Sequence, residues 1–570
     1  MNFVTGNNSI DALIATSWND KPGVGVALTY NFMDTLYADA SERDALGFSP
    51  MTLVQRSAAR DAMAQWSNVA NISFTEVASQ GNLQLGSNDQ TLNKSSGYAR
   101  YPNESGISPL FINNAGAYNA VFPAGGFGRE VLLHELGHTL GLKHPGDYDS
   151  LGTPTVGPYL PEETDSGYYT VMSYHTGGGG EVPVYGVTPM MYDIQAIQYL
   201  YGANTSYHKG DDVYLVTPWS APVCVWDAGG SDTLDFSACT QEVTIDLNAG
   251  EFSVIGDEVF NMSIAFGVTI ERAIAGSGGS TIFGNFSGGS SISGGVGADH
   301  IYMGSGNNTV DGGAGDDTAS LYYDFADYAI SSAGGVLFID GDGHDEFRNV
   351  ESFEFNDYIF SSTSLASLVS GTAGNDRLIS NGNGFINAAA GIDTMVYDKP
   401  MASYAREDMD GYWHIKTVAS TAVDMLFGVE RLQFSDGAVA LDIDGHAGQA
   451  YRLYKATFDR APDLPGLGFW INHMDHGMTI EEVAGHFMNS DEFGRTYGSL
   501  SNEAFITQLY RNALHREPEA AGLAFHVNNL EHGMSRAIEL VGFSESDENQ
   551  AQVIGQISHG ISYVPFVPLS

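Results

Sequence analysis

Three histidines and a glutamate fall in the run His134-Glu135-Leu-Gly-His138-Thr-Leu-Gly141-Leu-Lys-His144. On a helix, positions i and i+4 share a face, so His134 and His138 present two imidazoles to one ion. Glu135, one position along, then stands close enough to act on a water held there. Gly141 lets the chain leave the helix sharply and bring His144 round as a third ligand. Three imidazoles with a fourth position open suit a catalytic Zn²⁺, which needs room for water or substrate. Core packing accounts for a lone buried histidine but not for all of these positions at once.

A second chemistry is written in glycine and aspartate. Gly294-Gly-Val-Gly-Ala-Asp299, Met303-Gly-Ser-Gly-Asn-Asn308 and Gly312-Gly-Ala-Gly-Asp-Asp317 repeat every nine residues, and Ile292, Ile301, Val310 and Ala319 keep the same step. This is the nonapeptide pattern of a parallel β-roll, six residues turning and three extended. A flexible linker explains the glycines but not the shared phase of acidic and apolar positions. In such a roll alternate turns stack, so Asp299 and Asp317 face one another across neighbouring turns. Carboxylates and carbonyls at a glycine-rich turn suit Ca²⁺. Ser280 and Asn308 stand where an acid belongs, which predicts weaker sites. The turns 371–376 and 388–393 form a degenerate pair through Asp376 and Asp393. The duplication is larger than one turn: each block ends in a similar run, Asn349-Val350-Glu351 and Gly428-Val429-Glu430.

The elements that hold these residues fall into three zones: 1–205 of mixed helix and strand, 206–445 rich in Gly, Asn and Asp, and 446–570 of helical periodicity. In the first, Thr52 to Val69 reads as an amphipathic helix and Asn71 to Val77 as a strand. The third is doubled, Leu453-Tyr454 and Gly477-Met478 recurring at Leu509-Tyr510 and Gly533-Met534. The chain has 570 residues, with 69 Asp and Glu against 23 Lys and Arg, a net charge of -46. That balance argues against nucleic acid or an anionic lipid surface as the main partner. No apolar run is long enough to span a bilayer. The first twenty residues show no basic stretch leading into an apolar one, so no conventional signal peptide is expected. Cys224 and Cys239 flank an expected hairpin around Ala228-Gly229-Gly230 and could form one bridge or remain two thiols.

The histidine run resembles the zinc motif of the metzincin proteases, specifically the serralysin family. The likeness extends to Thr170-Val-Met172-Ser-Tyr174, to Gly97-Tyr98-Ala99, to the run from Tyr192 to Asn204 and to that from Trp226 to Phe236. It implies an α+β metzincin catalytic domain, a parallel β-roll of repeat-in-toxin nonapeptides and an all-α C-terminal domain. The implied activity is peptide hydrolysis, with His134, His138 and His144 on zinc and Glu135 as general base. Met172 would floor the site, and Tyr174 would be a displaceable ligand that stabilises the oxyanion. The implied roll ligands are Gly295, Gly297 and Asp299 with Gly312, Ala314 and Asp317. A calcium site ahead of the roll would use His208, Gly210, Asp212, Asp227, Gly229 and Asp232, mostly through backbone oxygens. Another would use Gly230, Asp232, Thr269 and Glu271. His208 departs from the usual arginine, which a carbonyl ligand tolerates.

The resemblance further implies a secreted, extracellular protein leaving through a type I exporter by an uncleaved C-terminal signal, with protein or peptide substrates. The doubled helical segment resembles a domain that often ends secreted repeat-in-toxin proteins, a candidate contact for a cell-surface or S-layer partner. The competing reading is an extracellular calcium-binding scaffold or adhesion protein with a vestigial protease domain.

Overall fold

A computed structural model describes residues 5–148, 157–176, 185–218, 221–256, 259–380, 384–409 and 411–567. The chain forms two units, one of Met1–Tyr322 with Gly334–Phe338 and Asp342–Phe360, the other of Tyr323–Ala333, Ile339–Gly341 and Ser361–Ser570. No described helix is long and apolar enough to cross a membrane.

The first unit opens with a five-stranded sheet: β1 (Val26–Phe32), β2 (Ile72–Glu76), β3 (Leu83–Asn88), β4 (Gly97–Ala99) and β5 (Ser108–Asn113), ordered β2-β1-β3-β5-β4. All neighbours are parallel except β4, which runs antiparallel to β5 and leaves one edge open. Helix α1 (Leu53–Val69) starts at a capping box, Thr52 Oγ1 accepting from the N–H of Gln55 and Gln55 Oε1 from that of Thr52. Its buried face, Ala58, Ala62, Met63, Trp66 and Val69, follows the helical period. Trp66 Nε1 donates to the carbonyl of Leu133, tying α1 to α2 (Phe127–Leu140). Helix α3 (Met191–Tyr201) closes this region.

Short strands then wind into two parallel sheets. In one, Ile282, Ile301, Ala319 and Phe353 stack in register; in the other, Leu234, Ala273, Ile292, Val310 and Phe347 do so, and all are buried. Strand partners lie eighteen residues apart, as Ser291 with Thr309, because successive nonapeptides alternate between sheets. The expected hairpin at 228–230 is not one: Val223–Val225 pairs with Val259–Ile264 and Thr233–Asp235 with Arg272–Ile274, in different sheets. The turn carries the chain across the roll, and Cys224 and Cys239 are buried free thiols.

The second unit repeats the plan in shorter form. Phe385–Asn387 pairs in parallel with Val423–Phe427, and Thr394–Val396 with Arg431–Phe434. Ile386, Met395, Leu426 and Leu432 fill its core. The tail follows: α4 (His446–Phe458), α5 (Leu464–Asp475), α6 (Ile480–Met488), α7 (Asp491–Tyr497), α8 (Asn502–Leu514), α9 (Ala520–Glu531), α10 (Arg536–Ser544) and α11 (Asp547–Ile557). The strand Ile561–Tyr563 then returns to pair antiparallel with Gly437–Ala440.

Candidate active site and metal centres

Helix α2 carries His134, Glu135 and His138 in its C-terminal half and ends at Gly141, whose φ of 106° is left-handed. A Cβ there would lie 2.2 Å from the carbonyl oxygen of Thr16, so the crossing needs glycine. The N–H of Gly141 donates to His138 O and that of Leu142 to Gly137 O, closing the helix in a Schellman motif. An N-terminal segment clamps the departing chain: the N–H of Ala15 donates to Gly141 O (2.9 Å) and that of Lys143 to Leu13 O (2.6 Å).

His144 thereby folds back on the helix. Its Nε2 lies 3.1 Å from Nε2 of His134 and 3.0 Å from Nε2 of His138. His134 Nδ1 donates to Val171 O (2.7 Å) and His138 Nδ1 to Leu142 O (2.8 Å). In the neutral rings these bonds leave both Nε2 atoms as bare acceptors. Nitrogens about 2.1 Å from one tetrahedral ion stand about 3.4 Å apart, close to this spacing. The donor set therefore fits Zn²⁺. Burial pushes the imidazoles down, His134 to about 4 and His144 to about 3, the latter helped by the charges of His134 and Lys143.

Glu135 is buried, one carboxyl oxygen has no partner, and burial pushes its pKa up to about 8. A neighbouring cation would return it to the carboxylate. Gly97 on β4 leaves it room: a Cβ there would come within 2.9 Å of Glu135 Cγ and Oε1. Met172, fully buried, packs under the helix where a Cβ on Gly137 would meet its sulfur at 2.6 Å.

Asp193 on α3 fixes this turn, accepting from Thr170 Oγ1 (2.5 Å), the N–H of Val171 (2.7 Å) and the N–H of Met190 (2.9 Å). Since Val171 O receives His134 Nδ1, a continuous chain of bonds orients the first imidazole. Tyr174 is 55% exposed, its ring centroid 4.4 Å from that of His144 and stacked on Tyr148 at 4.9 Å. Tyr148 donates to Asp165, which also accepts from Ser173 Oγ (2.7 Å). The three histidines, Glu135, Ser173 and Tyr174 line a cleft of about 700 Å³ bordered by the open edge of β4, with Tyr101 and Glu130 in its walls.

The proposed calcium residues form ladders. The N–H of Asp299 donates to Asp317 Oδ1 (2.8 Å), and that of Asp317 to Glu351 Oε2 (3.0 Å). On the opposite side the N–H of Asn308 donates to Asp345 Oδ1 (2.9 Å). Both carboxyl oxygens of Asp299 and one of Asp317 are buried without a partner. The turns are in direct contact: a Cβ on Gly294 would lie 2.4 Å from Gly312 O, and on Gly315 2.3 Å from Gly297 O. The carbonyl of Gly295 accepts from the N–H of Ala314 (3.0 Å). Burial, with Asp317 nearby, pushes Asp299 up to about 7.

Ahead of the roll, the N–H of Asp212 donates to Asp232 Oδ1 and that of Asp232 to Glu271 Oε2, both at 2.8 Å. The other oxygen of Asp232 is buried and unpartnered, and burial raises this acid to about 6. Ligand atoms of His208, Asp212 and Asp227 lie within 4.8 Å of one another, so the His208 ring reaches the group, while its carbonyl accepts from the N–H of Ala228. Gly229 donates its N–H to Asp227 Oδ1 (2.7 Å), and Gly210 O packs against Gly230. Thr269 is exposed. The second unit has its own ladder: Asp376 N–H to Asp393 Oδ1 (2.6 Å) and Asp393 N–H to Glu430 Oε2 (2.8 Å), with Asp393 Oδ2 buried and unpartnered.

Residues 192–450 match the profile described as peptidase M10 serralysin C terminal. Metalloprotease AprA of Pseudomonas entomophila is 38% identical over 301 residues, 47% of this chain and 61% of its own. Over the matched residues the chain is similar to the serralysins. Serralysin of Proteus mirabilis is 36% identical over 47% of this chain and 62% of its own, and serralysin G of Dickeya chrysanthemi 38% over 48% and 62%. The chain thus spans about three fifths of the length of these relatives. Within the tail, residues 484–553 match a domain of unknown function, DUF4214.

Several site residues lay outside the sequence reading. Asp165 and Tyr148 act through side-chain bonds that no spacing reveals. Glu351, Asp345 and Glu430 end the ladders, and the parallel runs at 349–351 and 428–430 were a readable signal for two of them.

Proposed function

We propose that this chain is a secreted zinc-dependent endopeptidase of metzincin type, its roll stabilised by calcium. The convergence of three Nε2 atoms beside the buried, unpartnered Glu135 carries the reading. His134, His138 and His144 would hold the metal. The ion, when bound, supplies Lewis acidity: it lowers the pKa of a water toward about 7 and polarises the scissile carbonyl.

An extended substrate adds to the open edge of β4 as a further strand, its backbone paired there and its side chains alternating into the cleft. Glu135, directly beneath Gly97, takes the proton from the attacking water and delivers it to the leaving amine. Tyr174 donates its hydroxyl proton in a hydrogen bond to the oxygen that gains charge as the carbonyl is attacked. Stacking on Tyr148, and the hold of Asp165 on Tyr148 and Ser173, limit where that ring can swing.

The orphaned oxygens of Asp232, Asp299, Asp317 and Asp393 support calcium in the ladders, where carboxylates and turn carbonyls offer all-oxygen ligation. The same reading assigns catalysis to 1–205, calcium binding to 206–445 and the helical tail, with the export signal, to 446–570. A type I exporter would be its secretion partner, and a surface partner would meet the tail.

The test is casein hydrolysis by the full chain alongside its zinc content. Expected are one zinc, loss of hydrolysis with 1,10-phenanthroline, and its return on adding zinc. A protein that binds zinc yet never cleaves casein would instead favour the calcium-binding scaffold.

A further inference from the structure

The helical tail contains one hairpin built twice, and only one copy is covered. Helices α5 and α9 correspond at an offset of 56, Gly466, Leu467 and Phe469 matching Gly522, Leu523 and Phe525. The backbones agree in detail: Asp459 and His515 both end their helices with left-handed φ, 49° and 50°, and Gly477 and Gly533 follow at 96° and 98°. In both copies a Cβ on the first glycine would meet a tyrosine hydroxyl, Tyr454 or Tyr510.

The first copy is roofed by the chain's own C-terminal stretch. After Ile561–Tyr563 pairs with the sheet, the N–H of Val564 donates to Leu464 O (3.1 Å), and Phe566 packs edge-on against Phe469 with centroids 5.1 Å apart. Leu467, Gly468, Ile471 and Met474 on α5 are buried. On α9 no residue is buried, and Phe525, the counterpart of Phe469, is 61% exposed.

We propose that the exposed face of α9 docks an extended apolar segment of a partner protein, with an aromatic side chain set against Phe525 as Phe566 is set against Phe469. The covered copy shows the kind of occupant this face takes. One difference excludes a second molecule's own C-terminal stretch in the same pose. A Cβ at Gly468 would lie 1.9 Å from Val564 O, and the second copy carries that Cβ, as Ala524. A backbone can approach α9 only from further out, so contact there depends more on side chains.

The experiment pans a random heptapeptide phage library on the intact protein and on Phe525→Ser, whose altered side chain is already in water. Enrichment of peptides with an aromatic among apolar residues, and at least tenfold weaker binding to Phe525→Ser by titration, is the expected result. Unchanged far-UV circular dichroism and an unchanged calorimetric midpoint in Phe525→Ser show that the fold is kept. No Phe525-dependent peptide, or enriched peptides that bind Phe525→Ser equally, would overturn the proposal. Self-association of the intact protein that Phe525→Ser abolishes would also overturn it, making the occupant a second copy.

Discussion

The histidine cluster at 134–144 and the carboxylate ladders between 212 and 430 both gather ligand atoms out of water, yet burial acts on them with opposite sign. For the imidazoles it lowers the pKa, so at neutral pH the rings are uncharged, which is also their ligating form. For the carboxylates it raises the pKa, to about 7 at Asp299 and about 6 at Asp232 and Asp345. Near neutral pH these acids must keep a proton or sit charged beside one another, in a chain already at -46. The histidine site is thus in its ligating form without a metal, whereas a cation at the ladders would favour their charged form.

The contrast can be broken in four ways. Glu135→Gln should cost roughly a thousandfold in kcat, within the range for a lost general base, while zinc content by mass spectrometry stays at wild type. Loss of zinc together with activity would show that the histidine site is not preorganised. Tyr174→Phe should lower kcat about a hundredfold with little change in KM, as expected for one oxyanion donor.

Calcium should matter to stability rather than to zinc retention. At a free concentration about a hundred times Kd, each ion adds about 2.7 kcal/mol, so a calcium-selective chelator should lower the calorimetric midpoint and leave zinc bound. The smallest effect is in pH. Because the folded state holds protons on Asp299 that the unfolded chain gives up near 3.8, the contribution of Asp299 to metal-free stability is greatest below about 4 and is lost as pH rises through about 7. The gap between melting curves with and without calcium should widen over that window. A flat gap would mean that these acids do not carry the binding.

Local signals made much of this legible. The spacing of His134, His138 and His144 is short-range, as is the nine-residue phase of Asp299 and Ile301, so both could be read from the sequence. The helix expected over Thr52 to Val69 was legible because an apolar period of three to four residues is short-range. The Cys224 to Cys239 stretch misled, since a glycine-rich turn between two β pieces reads alike whether the strands pair or enter separate sheets. Asp165, Asp193 and Asp345 were hidden for another reason: each works through a partner fixed only by tertiary packing. The ends of the ladders also lie past long excursions, 34 residues from Asp317 to Glu351, which break the period that exposed the rest.

The clamp on Gly141 makes the third imidazole depend on a distant stretch of chain. Leu13, Ala15 and Thr16 hold the turn that presents His144, while Trp18 Nε1 donates to Thr139 O (2.8 Å) on the same helix end. Trimming that stops before Leu13 would leave a three-nitrogen site. A cut beyond it would free His144 and leave the two ligands on α2. The first stretch of the chain is therefore a latch on the third imidazole, and its removal should cost the cluster one of its three nitrogens.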